Sequence, residues 1–278
     1  LSPDSGGTEL TEAQLTHQLT ELGAGEGGVL LVHASLRSLG KVDGGAPTVL
    51  RALRRALGPD GTVVVPTFTS DNSSTSAAHM ERVRGLSDEA RTAFRERMPP
   101  FDPATTPSTG VGILAETTRL HPDSLRSAHP QTSFAALGPC AAEVIDDHHP
   151  DCHLGERSPL ARLYELRAQI LLLGVGFDSC TAFHLGEYRV PSPPHRSYRC
   201  VVRRDGQRQW WEYDDIALND GDFETLGAEF EGANPGAAVR VGTLGAAPCR
   251  LVNFVDAVDF AQGWFPEHRV ASHPGAQH

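Results

Sequence analysis

The chain is short of the residues that announce several common chemistries. Its five cysteines, Cys140, Cys152, Cys180, Cys200 and Cys249, are scattered, odd in number and never spaced as CxxC. That argues against a disulfide framework or a zinc knuckle and predicts free thiols in a reducing compartment. No apolar run reaches the length of a membrane crossing and no signal-peptide pattern opens the sequence, so the cytoplasm is the expected location. Positive charge is scarce as well: 24 Lys and Arg against 35 Asp and Glu leave a formal net charge of −11. Such a chain is a poor general binder of nucleic acid or of anionic membrane, and a suitable host for a small cationic molecule. Neither a P-loop nor GxGxxG occurs, which removes the triphosphate and dinucleotide fingerprints, and without GxSxG a serine-hydrolase elbow is missing. The histidines of DDHHPDCH (146–153) match no helix-face pair such as HExxH, and Pro150 interrupts them, so no metal site is expected there.

What is present reads as a globular enzyme-sized chain: 278 residues, 39% hydrophobic and 21% charged. Leu10, Leu15, Leu19 and Leu22 have helical spacing, with Thr11 and Gln14 as a cap. Val29 to Val32 and Thr62 to Val65 are apolar runs expected to be buried strands. Pro47 to Leu57 between them is expected to be a helix, which makes a βαβ unit with parallel strands. Met80 to Arg97 is expected to be helical with a solvated face, and the proline-rich 99–109 irregular. Helices are expected over Val111 to Leu120, Cys140 to Asp147, Leu160 to Leu166, Thr225 to Phe230 and Val252 to Phe265. Tyr198 to Arg203 and Gln209 to Tyr213 alternate and flank Asp205-Gly206, a hairpin signal. The expected architecture is one α/β domain over 9–270, a central mixed sheet flanked by helices with an antiparallel β extension. Residues 1–8 are expected to be a disordered leader and 271–278 a loose tail.

The chain is organised around ILLLGVGFDSCTAFHLGEY (170–188). A buried strand, Ile170 to Leu173, runs through Gly174 and Gly176 into a loop and then a helix. On that helix His184 and Glu187, three residues apart, share a face, and Asp178 stands in the loop before it. A histidine flanked by carboxylates at the carboxyl end of a strand is a candidate general base, with Asp178 or Glu187 as its supporting acid. The loop after the first strand, from His33 to Pro47, carries Ser35, Arg37, Ser38 and Lys41 as donors. Its glycines Gly44 and Gly45 stand just ahead of a helix, where free N–H groups favour an anion. A third stretch, Arg126 to Ser133, sets Arg126, His129 and hydroxyls at a strand entrance.

These stretches, in this order, resemble the aminoglycoside 3-N-acetyltransferase family. The matching pieces are VHASLRSLGKVDGGAPTVLRALRRALGPDGTVVVPTFT (32–69), FDPATTPSTGVGILAE (101–116), RSAHPQTSFAALGP (126–139), SPLARLYEL (158–166) and LLLGVGFDSCTAFHLGEY (171–188). The resemblance implies acetyl transfer from acetyl-CoA to the 3-amino group of a 2-deoxystreptamine aminoglycoside, conferring resistance, by a monomer or homodimer. It implies that His184 activates the amine, that Asp178 supports the ring and that Glu187 serves both the site and the cationic sugar. It places the coenzyme on Ser35, Arg37, Ser38, Val42, Gly44 and Gly45. Asp71, His129, Glu187 and Glu224 are the expected substrate contacts. Gly186 stands where the family pattern suggests alanine, and the loops over 71–97 look longer than in compact members. Direct attack within a ternary complex competes with an acyl-enzyme on Cys180. Another amine substrate, or coenzyme binding without turnover, are the alternatives.

Overall fold

The first sheet strand opens with the unbroken run Val29-Leu30-Leu31-Val32, so both of its faces are apolar, and the architecture follows from that. The computed structural model describes residues 9–234 and 236–269; the expected leader, 1–8, and tail, 271–278, lie outside them. Helix α1 (Glu12–Leu22) opens with a reciprocal cap: Thr11 Oγ1 accepts from the Gln14 N–H, and Gln14 Oε1 accepts from the Thr11 N–H at 2.9 Å. There follow β1 (Val29–Ala34), α2 (Gly45–Leu57), β2 (Thr62–Pro66), α3 (Ala77–Arg82), α4 (Asp88–Glu96) and α5 (Gly112–Arg119). The middle of the chain supplies β3 (Leu125–Arg126), β4 (Phe134–Leu137), α6 (Ala141–Ile145), α7 (Pro159–Glu165), β5 (Gln169–Leu173) and α8 (Ala182–Arg189). The last third holds β6 (His195–Arg204), β7 (Gln207–Ile216), α9 (Phe223–Ala233), β8 (Val239–Leu244), β9 (Ala247–Asn253) and α10 (Phe254–His268).

Seven strands form one mixed sheet in the order β3-β4-β2-β1-β5-β9-β8. β1 pairs in parallel with β2 and β5, while β4, β9 and the two edge strands pair antiparallel. Leu31, Val64, Ile170 and Leu172 point into a core closed by α6 to α10. Their neighbours Leu30, Val63, Leu171 and Leu173 point into a second core closed by α1, α2 and α5. A period of two with both faces apolar is what a central strand covered by helices on each side requires. Each fully buried leucine contributes about 1.5–3 kcal/mol. β6 and β7 form a separate two-stranded hairpin of ten residues each, turning at Asp205 and Gly206, both at positive φ.

Three expectations change. The single helix over 80–97 is two, α3 and α4, because Gly85 at φ +74° lies between them and Ser87 starts the second by accepting from the Ala90 N–H. The helix expected from Val252 begins at Phe254, since Val252 and Asn253 belong to β9. β8 and β9 were not anticipated: β8 is an edge strand with an exposed face and an interior Gly242, and β9 carries Pro248 and Arg250, so neither reads as an apolar run. Gly186 has a packing reason: a Cβ there would lie 2.8 Å from the Cβ of Ala261, so α10 crosses α8 where only glycine fits.

Candidate active site

Because β2, β1 and β5 run parallel, their carboxyl ends open on one side of the sheet, where ligands bind in such folds. A cleft of about 610 Å³ sits there. Its walls are Pro66 and Phe68 after β2, Ala34 to Arg37 after β1, and Val175 and Asp178 after β5. Gly110 to Ile113 at the start of α5, Thr181 and His184 of the α8 region, Asp220 just before α9 and Phe223 at its first position complete the lining.

His184 is 8% exposed and faces this cleft, and Glu187, one helical turn on, is 3% exposed. The Glu187 carboxylate Oε2 is hydrogen-bonded to His184 Nδ1. An ionised carboxylate only accepts, so the imidazole donates from Nδ1 and keeps the lone pair of Nε2 on the cleft side. The other carboxylate oxygen accepts from the Asn219 N–H at 3.2 Å and from Arg269 Nη1. Arg269 in turn donates from Nε and Nη2 to Asp222 at 2.7 and 2.6 Å, and from Nη2 to the Asn219 carbonyl at 2.6 Å. Burial opposes the charge on Arg269, but Asp222 and Glu187 outweigh it and raise the guanidinium above its ordinary range.

The remaining sequence-derived candidates are distributed unevenly. Asp178 lines the cleft but does not bond the imidazole: it sits in a 3-10 turn (Phe177–Ser179), its Oδ1 accepts from Ser179 Oγ, and Glu187 already occupies Nδ1. Glu224 stands behind that turn, accepting from the Asp178 N–H at 3.3 Å. Ser35 and Arg37 line the cleft. Ser38 instead donates to the Gly174 carbonyl at 3.3 Å, tying the loop after β1 to the loop after β5. Val42, Gly44 and Gly45 lie outside the cleft walls, with both glycines at positive φ where α2 begins.

None of the four expected substrate contacts, Asp71, His129, Glu187 and Glu224, is among the cleft-lining residues, and the Glu187 oxygens are taken by His184, Asn219 and Arg269. Asp71 pairs with Arg82 at 2.6 Å beside Phe94 and Met98. His129 is fully buried, its Nδ1 accepting from the N–H groups of Gln131 and Thr132. It stacks on His148, and burial holds it well below the usual histidine range. The 146–153 tract turns inward with it. His153 Nδ1 donates to Asp215 at 2.7 Å, and Tyr188 donates to the same carboxylate oxygen at 2.5 Å, which fastens the hairpin to α8. Among the described residues no group of three or more histidine, cysteine or acidic side chains is placed to hold a metal.

Cys180 is fully buried, lies outside the cleft walls, and has its thiol pushed up to about 12 by desolvation. Burial disfavours its thiolate, the form that would act as nucleophile, which weighs against the acyl-enzyme alternative. Sequence reasoning missed Arg269, Asn219, Asp220, Asp222 and Phe223. Arg269 is 82 positions from its carboxylate, and no local pattern links them.

The family model described as aminoglycoside 3-N-acetyltransferase matches residues 31–266, so Arg269 falls just past the matched stretch. An SPbeta prophage-derived aminoglycoside N(3')-acetyltransferase-like protein, YokD, of Bacillus subtilis is 37% identical over 262 residues, covering 92% of each chain. Among solved structures, AAC-IIIb in a binary complex with CoASH is 29% identical with a TM-score of 0.81, over 94% of this chain and 97% of that one. AAC-VIa bound to sisomicin is 30% identical, also at 0.81, over 95% and 100%. The chain belongs to the aminoglycoside 3-N-acetyltransferase family.

Proposed function

We propose that this protein transfers the acetyl group of acetyl-CoA to the 3-amino group of a 2-deoxystreptamine aminoglycoside, with His184 as general base. The observation that carries the reading is the Glu187-held imidazole whose free nitrogen faces the cleft. An ammonium has no lone pair, so the attacking nitrogen must lose a proton, and a neutral imidazole beside a carboxylate is suited to take it. Once the ammonium has lost one proton to solvent, the neutral amine nitrogen forms a bond to the thioester carbonyl carbon and gives its next proton to His184; the C–S bond breaks, and that proton passes from His184 to the departing thiolate. Acetylation turns a cationic amine into a neutral amide, which is how the reaction confers resistance.

Membership of the family and the CoASH and sisomicin complexes of related enzymes support both ligands. Asp178 and Asp220 line the cleft and Glu224 stands behind the Asp178 turn, which supports their attracting the remaining ammonium groups of the sugar. Ser35 and Arg37, which also line the cleft, and Ser38, Val42, Gly44 and Gly45 leading into α2, are assigned to the coenzyme and its phosphates. No helix among the described residues is long and apolar enough to cross a membrane, which suits a protein meeting its substrates in the cytoplasm.

The test is a thiol-release assay with acetyl-CoA across a panel of aminoglycosides and unrelated amines, followed by product analysis to locate the new amide. Acetylation at N3 of the 2-deoxystreptamine ring is expected. Coenzyme binding without turnover on any aminoglycoside overturns the reading. His184→Ala is expected to lower turnover by about a hundredfold or more.

A further inference from the structure

Glu187 is almost wholly buried, and its position decides where the imidazole of His184 points. One of its oxygens faces His184, so the orientation of the pair depends on what holds the other. That oxygen receives Arg269 Nη1 and the Asn219 N–H, from two separate segments of the chain. The guanidinium is itself immobilised. Two of its nitrogens grip Asp222 just before α9, one also reaches the Asn219 carbonyl, and the guanidinium carbon lies 3.9 Å from the ring centre of Phe265 in α10. A planar fork of fixed donors orients a carboxylate in a way that a single ammonium does not.

We infer that Arg269 is a positioning residue for the reaction, locking the Glu187 carboxylate so that His184 is held with Nδ1 on Glu187 and Nε2 in the cleft. It touches neither the imidazole nor the cleft and acts through Glu187 alone. The end of α10 thereby becomes part of the machinery that orients α8, although the two are remote in sequence. This inference rests on His184 being the base, and the measurements below separate the two claims.

Steady-state kinetics of Arg269→Gln and Arg269→Lys with acetyl-CoA and an accepted aminoglycoside test it. Arg269→Gln is expected to lower kcat by about 10- to 100-fold, the scale of lost outer-shell support, with KM for both substrates within about twofold. Arg269→Lys keeps the charge without the fork and is expected to recover only part of that loss, staying at least about threefold below wild type. An independent readout is the exchange-protected Nδ1 proton of His184 in proton NMR of the coenzyme-free protein, identified by its loss in His184→Asn. That resonance is expected in the wild type and broadened away in Arg269→Gln. Wild-type kcat in either variant, a loss confined to KM, or an unchanged resonance in Arg269→Gln overturns the inference. If Arg269→Gln fails to fold, the Arg269→Lys kinetics carry the decision. A fully active His184→Asn would instead remove the base assignment, and the NMR comparison would still decide whether Arg269 orients the ring.

Discussion

A carboxylate as enclosed as Glu187 persists only where charge-assisted donors replace the water it has lost. Here they are an imidazole N–H, a backbone N–H and a guanidinium. Glu187→Gln keeps the shape but offers an amide to three donors, so turnover is expected to fall by about 10–100-fold with the fold retained; kinetics beside a thermal melt check both halves. Cys180 makes the opposite case. It is buried, its thiol is pushed up by desolvation, and it is not among the residues that wall the cleft. Cys180→Ala is expected to leave turnover within about twofold and to cost about 1 kcal/mol of stability. A folded, inactive variant would restore the acyl-enzyme route. His184 and Glu187 were legible because a three-residue spacing on a helix dictates contact. Between Asp178 and Glu187 the sequence left the partner of His184 open, because a residue in the loop before a helix has no spacing rule that fixes what it touches; in the fold Asp178 sits in a 3-10 turn and bonds Ser179.

Among the elements, the crossing of α8 and α10 matters most, since one carries His184 and the other leads to Arg269. Alanine has a better helix propensity than glycine by about 1 kcal/mol, but overpacking a tight contact costs about 1–3 kcal/mol. With Ala261 only 2.8 Å from the added carbon and the Gln262 nitrogen at 3.0 Å, the clash is the larger effect. Gly186→Ala is therefore expected to lower the melting temperature and, by displacing α10, to lower kcat; a stabilised variant would show that the helices can separate without loss. The hairpin of β6 and β7 was legible from Asp205-Gly206 and its alternation. Its seat was not, because that depends on Asp215 meeting His153 and Tyr188, and on Tyr213 donating to Gln131 at 2.5 Å.

At the scale of the whole molecule, the fold buries histidines as neutral groups. Burial lowers His33 to about 4 and His148 to about 3, and holds His129 well below its ordinary range. Each binds a proton more readily in the unfolded chain, where histidine has its ordinary value of 6.5. Stability from these groups is fully present above that pH and is lost as the pH falls toward the folded values. With three such groups the loss between pH 7.5 and 5.5 is expected to be on the order of 3–4 kcal/mol, read from urea midpoints. Equal midpoints at the two pH values would mean that the histidines meet water in the folded state. The apolar runs and their flanking turns by themselves determined the central strands, most helices and the place of the His184 motif, because period and cap chemistry are local properties. Tertiary structure alone decided which acid holds the imidazole, which residues wall the cleft, and that an arginine far along the chain clamps Glu187. Those contacts join segments with no shared periodicity, so only the folded arrangement of β5, α8, α9 and α10 brings them into reach.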